Sequence, residues 1–237
     1  MPHRQCWNYK TKLDMAKKPT EQEIRQQNVA EAVSKTELFF REHSKAIYGC
    51  IAAILIIALA ILLYNRFVLQ PKTQDAQAEM AIAEQRFAEG NFELALKGDD
   101  NNLGFEQVID QYGTRGGNSI YMYAGACALN LGLYDDAIEY FKKYEGKDKI
   151  LYARAQAGIG DAYVALGDNK SALSYYEKAA ATIDNVYAAE YLMKAGLSAE
   201  ELGDKAKALE LYKKVKDQYP TSPLAEEVDK YITRIEL

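Results

Sequence analysis

Catalysis requires groups that can move protons or attack electrophiles, and this chain places few of them where they could act together. Both histidines, His3 and His43, precede a long apolar run, so the region from residue 70 onward contains none. That region also lacks a G-x-S-x-G elbow, a P-loop and any Cys/His spacing suited to a metal. Gly158-Ile159-Gly160 opens like a dinucleotide-binding turn, but Tyr163 stands where the third glycine is needed, and the segment reads as helix without a preceding strand. Acidic pairs such as Asp135-Asp136 and Glu200-Glu201 are more simply solvated helix faces than acid/base couples. Cys6, Cys50 and Cys127 fall in three different segments, which leaves no intramolecular disulfide framework. Cys127 has no His or second Cys in its own region to activate it and reads as a packed core thiol. The expectation is a protein that binds other proteins rather than an enzyme, with no cofactor, no metal and no small-molecule substrate.

The elements that carry these residues divide at Ala46 to Tyr64, nineteen residues without a charge between Lys45 and Arg66. As a helix this run spans about 28 Å, close to the hydrocarbon thickness of a bilayer, with Tyr48 and Tyr64 where interfacial aromatics sit. It starts too far into the chain and ends too abruptly for a cleaved signal peptide, and reads as an uncleaved anchor over 46–69. Residues 1–45 carry nine Lys/Arg against six Asp/Glu, whereas 70–237 carry nineteen against twenty-eight. That asymmetry predicts a cytoplasmic tail and an acidic domain on the far side of a bacterial inner membrane, and it opposes binding to nucleic acid. The span holds no ionisable side chain, so it anchors and does not transport. Gly49 and Ala53 form a small-xxx-small pair able to pack on another helix. Ahead of it, Thr20-Glu21-Gln22-Glu23 fits a capping box for a helix carrying Phe39 and Phe40, lying at the membrane surface or docking a membrane partner. Met15 is as good a start as Met1.

The domain over 70–237 is organised by internal repetition. Gly132, Gly167 and Gly203 recur at steps of 35 and 36, followed five residues later by Ala137, Ala172 and Ala208 and after four more by Phe141, Tyr176 and Tyr212. Seven residues before each stands another glycine, Gly125, Gly160 and Gly196. Small residues at these places allow the two helices of a hairpin to approach closely, the aromatic fills the gap between hairpins, and the later glycine supplies the conformation that ends the first helix. An earlier copy keeps Gly90 and Ala95 but delays its aromatic to Phe105, which predicts an insertion forming a loop over Lys97 to Asn102.

The pattern G-x-x-x-x-x-x-G-x-x-x-x-A-x-x-x-[FY] resembles the tetratricopeptide repeat, with Tyr163 in register in the third copy and Pro220 closing the last. The resemblance implies an all-α fold: one N-terminal transmembrane helix, then a right-handed superhelix of about four hairpins over 76–117, 118–151, 153–186 and 189–222. A helix over 223–237 would cap the stack, since an end repeat has no neighbour to cover its apolar face. In that family the concave face is lined by the second, fifth, ninth, twelfth and thirteenth positions of each first helix. By register these include Met80, Glu84 and Phe87; Met122 and Leu129; Arg154, Asp161 and Val164; and Glu190, Met193 and Leu197. Methionine holds the fifth position in three copies, either as an adaptable binding surface or as packing against neighbouring helices.

The order of tail, anchor and degenerate repeats, with FF-RE-HSKA before the membrane, resembles the ancillary SecYEG translocon subunits, the YfgM-like periplasmic tetratricopeptide-repeat proteins. It implies the Sec translocon, periplasmic chaperones or secreted substrates as partners. A scaffold for another envelope task, such as division or outer-membrane assembly, shares the same features. An organellar receptor would carry Lys and Asn in a carboxylate clamp, and Met122 and Ala126 stand there instead.

Overall fold

The computed structural model describes residues 21–237 and falls into two units, residues 1–63 and 64–237, taken in turn. Thr20, with the capping box it would complete, lies outside the described residues, as do His3, Cys6 and Met15. In the first unit, α1 runs over Glu21–Tyr64. It is long and apolar enough to cross a membrane, and Ile54 and Leu55 on its surface are 65% and 63% exposed. A helix satisfies its own backbone, which leaves those side chains free to face hydrocarbon. Toward its start, Phe39 stacks on His43 at 4.6 Å between ring centres.

The second unit opens on a π-helical turn, Asn65–Leu69, before α2, Gln70–Ala88. The wider turn has a local cause. Pro71 has no N–H to offer the carbonyl four residues back, and its ring would collide with that carbonyl in a regular α-helix. Nine helices follow: α3 (Phe92–Lys97), α4 (Phe105–Tyr112), α5 (Ile120–Asn130), α6 (Tyr134–Lys143), α7 (Lys149–Ala165), α8 (Asn169–Thr182), α9 (Val186–Glu201), α10 (Lys205–Gln218) and α11 (Leu224–Glu236). The pairs α5/α6, α7/α8 and α9/α10 form antiparallel hairpins. Each second helix packs on the following first helix, and α11 closes the stack against α10 and α9.

The three hairpin turns follow from glycine, joined in the second and third by an aspartate cap. Gly132, Gly167 and Gly203 take φ of 76°, 80° and 76°, a region where other residues are strained. The residue after each glycine then donates its N–H back to the last turn, as in Leu133 to Ala128 O and Asp204 to Ala199 O, both at 2.9 Å. Asp148, Asp168, Asn185 and Asp204 cap α7, α8, α9 and α10, accepting from the first backbone N–H groups at 2.8–3.1 Å. Pro220 lies just beyond the end of α10.

Within the hairpins the repeat residues meet as their spacing predicts. A Cβ placed on Gly125 would lie 2.8 Å from the Phe141 ring, one on Gly160 2.6 Å from Tyr176, and one on Gly196 2.3 Å from Tyr212. Phe141 also fills the space beside Gly158 of the next repeat, at 2.6 Å, so the same ring seals both its own hairpin and the junction to α7. Ala137, Ala172 and Ala208 are fully buried, and Tyr163 stacks on Tyr175 at 5.5 Å. Cys127 is buried as well, its thiol pushed up to about 12 by burial, so it stays protonated and unreactive.

The first repeat departs from the others. Its second helix is split into α3 and α4, and the loop runs from Gly98 to Gly104, with Lys97 closing α3 rather than starting the loop. Asp99 organises it, accepting from the N–H groups of Asn101 and Asn102 at 2.8 and 2.9 Å and pairing with Arg86 at 2.5 Å. Where the loop closes, a Cβ on Gly104 would lie 2.2 Å from the Gly98 nitrogen, so the two backbone strands cross closer than any side chain allows.

Candidate concave binding face

Arg154, Val164, Glu190 and Leu197 lie exposed on the first helices of the third and fourth repeats, and Glu84, Phe87, Leu129 and Asp161 are half-buried beside them. Met80, Met122 and Met193 are not part of that surface. They are 4%, 8% and 6% exposed and belong to the two hydrophobic cores, which favours packing over a binding surface, the two alternatives their register left open. Ala157 at the equivalent place is 4% exposed, so the fifth position is covered in all four repeats. The physical reason is its direction: it points into the seam where one hairpin meets the next, and only the positions a further part-turn round the helix reach open solvent.

Among the exposed positions the polar groups are tied together. Lys194 donates to both oxygens of Asp161, at 2.9 and 3.2 Å, and lies 3.6 Å from Glu190, joining α9 to α7. The Tyr176 hydroxyl donates to the same Asp161 oxygen at 2.7 Å, joining α8 to α7. Burial first, and the Asp161 charge second, hold that phenol protonated well above its ordinary range. At the amino-terminal end an aromatic cluster forms: Tyr123 stacks on Phe105 at 5.4 Å and meets Phe87 edge-on at 5.3 Å. Burial raises the Glu84 carboxyl there.

Two members were missed from sequence. Lys194 and Tyr123 lie outside the inward register, yet Lys194 bonds Asp161 and Tyr123 packs on Phe87. The four-residue spacing of Glu190 and Lys194 could have flagged an ion pair, whereas nothing local marks Tyr123 among the chain's eighteen tyrosines. Among the described residues no group of His, Cys, Asp or Glu is arranged to hold a metal. Shallow recesses at Asn65, Arg66 and Thr73 and at Asn118, Tyr121 and Lys143 lie away from this face.

Comparison with known proteins agrees with the geometry. Tetratricopeptide-repeat families match residues 118–183 and 157–223. A crystal structure of MamA protein shares the fold with a TM-score of 0.51 at 23% identity, covering 68% of this chain and 85% of that one. A second crystal structure of MamA gives a TM-score of 0.48 at 23% identity, covering 65% and 92%. No curated protein matches the chain. Residues 118–223 carry tetratricopeptide repeats, and the domain shares the fold of such repeats. One helix N-terminal to it is long and apolar enough to span a membrane.

Proposed function

We propose that this protein is a single-pass scaffold of the bacterial inner membrane that works beside the Sec translocon. Residues 46–64 cross the bilayer, the tail up to Lys45 is cytoplasmic, and the repeat domain from Lys72 onward is periplasmic. There its concave face receives segments of secreted substrates or of periplasmic chaperones. The observation that carries this reading is the exposed row Arg154, Val164, Glu190 and Leu197 along the first helices of the third and fourth repeats. Mixed charge and apolar surface of this kind suits a polypeptide, and the basic tail favours retention in the cytoplasm.

A photo-crosslinking residue at Leu197, in membranes of cells secreting a stalled substrate, tests it. Adducts to SecYEG, to a periplasmic chaperone or to the substrate are expected. Adducts confined to division or outer-membrane assembly proteins would replace the translocon with that machinery. Reporter fusions at the two ends test the topology, and a tail accessible to protease from the periplasm would reverse it.

A further inference from the structure

We propose that α1 is the dimerising helix of this protein: one stripe along it, beginning in the tail and running on through the membrane span, packs in parallel against the same stripe of a second copy. The proposal rests on the membrane-spanning reading above and not on what the repeat domain binds.

α1 is unbroken from Glu21 to Tyr64, so residues seven apart return to nearly the same side of it. Val33, Phe40, Ile47, Ile54 and Ile61 form one such row, and Val29, His43, Cys50 and Ile57 form its companion, three or four residues away at each step. Two rows so spaced make the seam of a coiled coil. In the span, where no residue is charged, composition marks the same stripe. An Ala-Ile pair recurs at Ala46-Ile47, Ala53-Ile54 and Ala60-Ile61, whereas Leu55, Leu59, Leu62 and Leu63 all fall on the far side. Small residues beside the row let two membrane helices approach closely, and β-branched residues within it favour two parallel strands.

The tail shows that lipid alone is not the cover. Val33 stands thirteen residues before Ala46, about 20 Å further along the helix and outside the hydrocarbon. It is nevertheless 51% exposed, and Phe40 is 54% exposed. Of the six charges over 31–45 only Glu37 borders the stripe, while Glu31 and Lys35 bond each other at 2.8 Å on the side away from it. The imidazole in the seam is satisfied within its own helix: His43 stacks on Phe39 at 4.6 Å, and its Nδ1 lies 3.2 Å from the Phe39 carbonyl oxygen.

On a straight helix such a row drifts by about 20° every seven residues, hence about 80° from Val33 to Ile61, so a flat surface cannot follow it but a helix wound left-handedly around it can. The partner is therefore a helix that crosses the bilayer and continues about 20 Å beyond it on the tail side. A second copy has that length and inserts in the same orientation. It also brings no like charges together, since the Glu37 residues of the two copies border opposite edges of a two-fold seam.

Disulfide mapping of the full chain in isolated membranes, with copper phenanthroline as oxidant, tests the proposal. Cys6→Ser removes the thiol ahead of α1, and Cys127 is buried. Native Cys50 should then give a covalent dimer. In a Cys50→Ala background, Val33→Cys, Ile54→Cys and Ile57→Cys should cross-link about fivefold more than Lys35→Cys, Leu55→Cys and Leu59→Cys, because a disulfide needs Cα atoms within about 7 Å. Ala53→Leu should cut the Cys50 yield about fivefold by wedging the helices apart, and Ala52→Leu, on the lipid side, should leave it unchanged. Equal yields at all positions, a maximum at Gly49→Cys as a right-handed small-xxx-small crossing would give, or no dimer at any position in protein that resists carbonate extraction overturns the proposal and leaves the anchor intact. Protein that carbonate extracts does not span the membrane, and the anchor reading then falls together with the dimer.

Discussion

Replacing the close-contact glycines by alanine should destabilise the domain in a fixed order, Gly196→Ala most and Gly125→Ala least. The added methyl carbon would stand 2.3 Å from the Tyr212 ring at Gly196, 2.6 Å from Tyr176 at Gly160 and 2.8 Å from Phe141 at Gly125, where carbon atoms settle at about 3.5–4.0 Å. None of the rings has room to retreat. Tyr212 is fully buried and lies against Tyr231 at 5.4 Å, and Tyr176 is held by its bond to Asp161. Overpacking of this kind costs about 1–3 kcal/mol, while alanine favours a helix interior over glycine by about 1 kcal/mol. The net is about 2 kcal/mol at Gly196 and close to zero at Gly125, with Gly160 between. For a domain of this size that lowers the melting midpoint by roughly 4–8 °C for Gly196→Ala and by less than about 2 °C for Gly125→Ala. Circular dichroism melts of the three variants measure it, and pairing Gly196→Ala with Tyr212→Leu should recover part of the loss, because the two changes share one contact. If alanine stabilises all three positions, helix propensity alone governs them and the packing account is wrong.

Truncating the core methionines, Met122→Ser or Met193→Ser, should cost roughly 2–5 kcal/mol each; a melt unchanged by both would return them to the binding surface. Asp161→Ala should cost about 1–3 kcal/mol by stranding the buried Tyr176 hydroxyl, more than Lys194→Ala, whose ion pair is a third exposed and contributes at most about 1 kcal/mol; equal losses would refute the assignment. The Asp168 carboxyl is held below its ordinary range by the Ser171 hydroxyl and N–H, so its charge stabilises the fold above the unfolded value and that contribution disappears as pH falls through about 4 and below. Asp168→Asn retains a cap without the charge, so its deficit relative to the unmodified protein should shrink on acidification, and a deficit independent of pH would show that the charge contributes nothing.

The hairpins were legible because their residues report local necessity. A positive-φ turn needs glycine, a helix start favours Asp or Asn, and an aromatic sixteen residues beyond a helical glycine has one place to go; Gly160 with Tyr176 shows all the spacing needed. What was not legible depends on neighbours. The register gives the direction of Met80, Met122 and Met193, but only the packed structure shows that an adjacent hairpin covers that direction. The split of the first repeat was visible as extra length, yet its exact loop depends on the crossing of Gly98 and Gly104, which lie close in space for reasons that no period reveals. The π turn before α2 had a visible cause in Pro71, whose consequence for the preceding residues was not drawn from sequence.

Burial of the methionines changes what sort of binding the groove can perform. A flexible, sulfur-rich lining would adapt to many apolar segments, but the surface that remains is a set of fixed donors and charges. Lys194 clamps α9 to α7 through Asp161, and Tyr176 clamps α8 to the same carboxylate, so the third and fourth repeats are joined at the face where a partner would lie. Rigid anchors reduce the ordering cost of association and favour a partner whose polar groups are correctly placed over one that is merely greasy. At the other end, Phe87 and Leu129 remain partly open beside Tyr123, which supplies apolar area without a carboxylate partner. A polypeptide bound as proposed would therefore meet apolar area along the first and second repeats and fixed charges along the third and fourth.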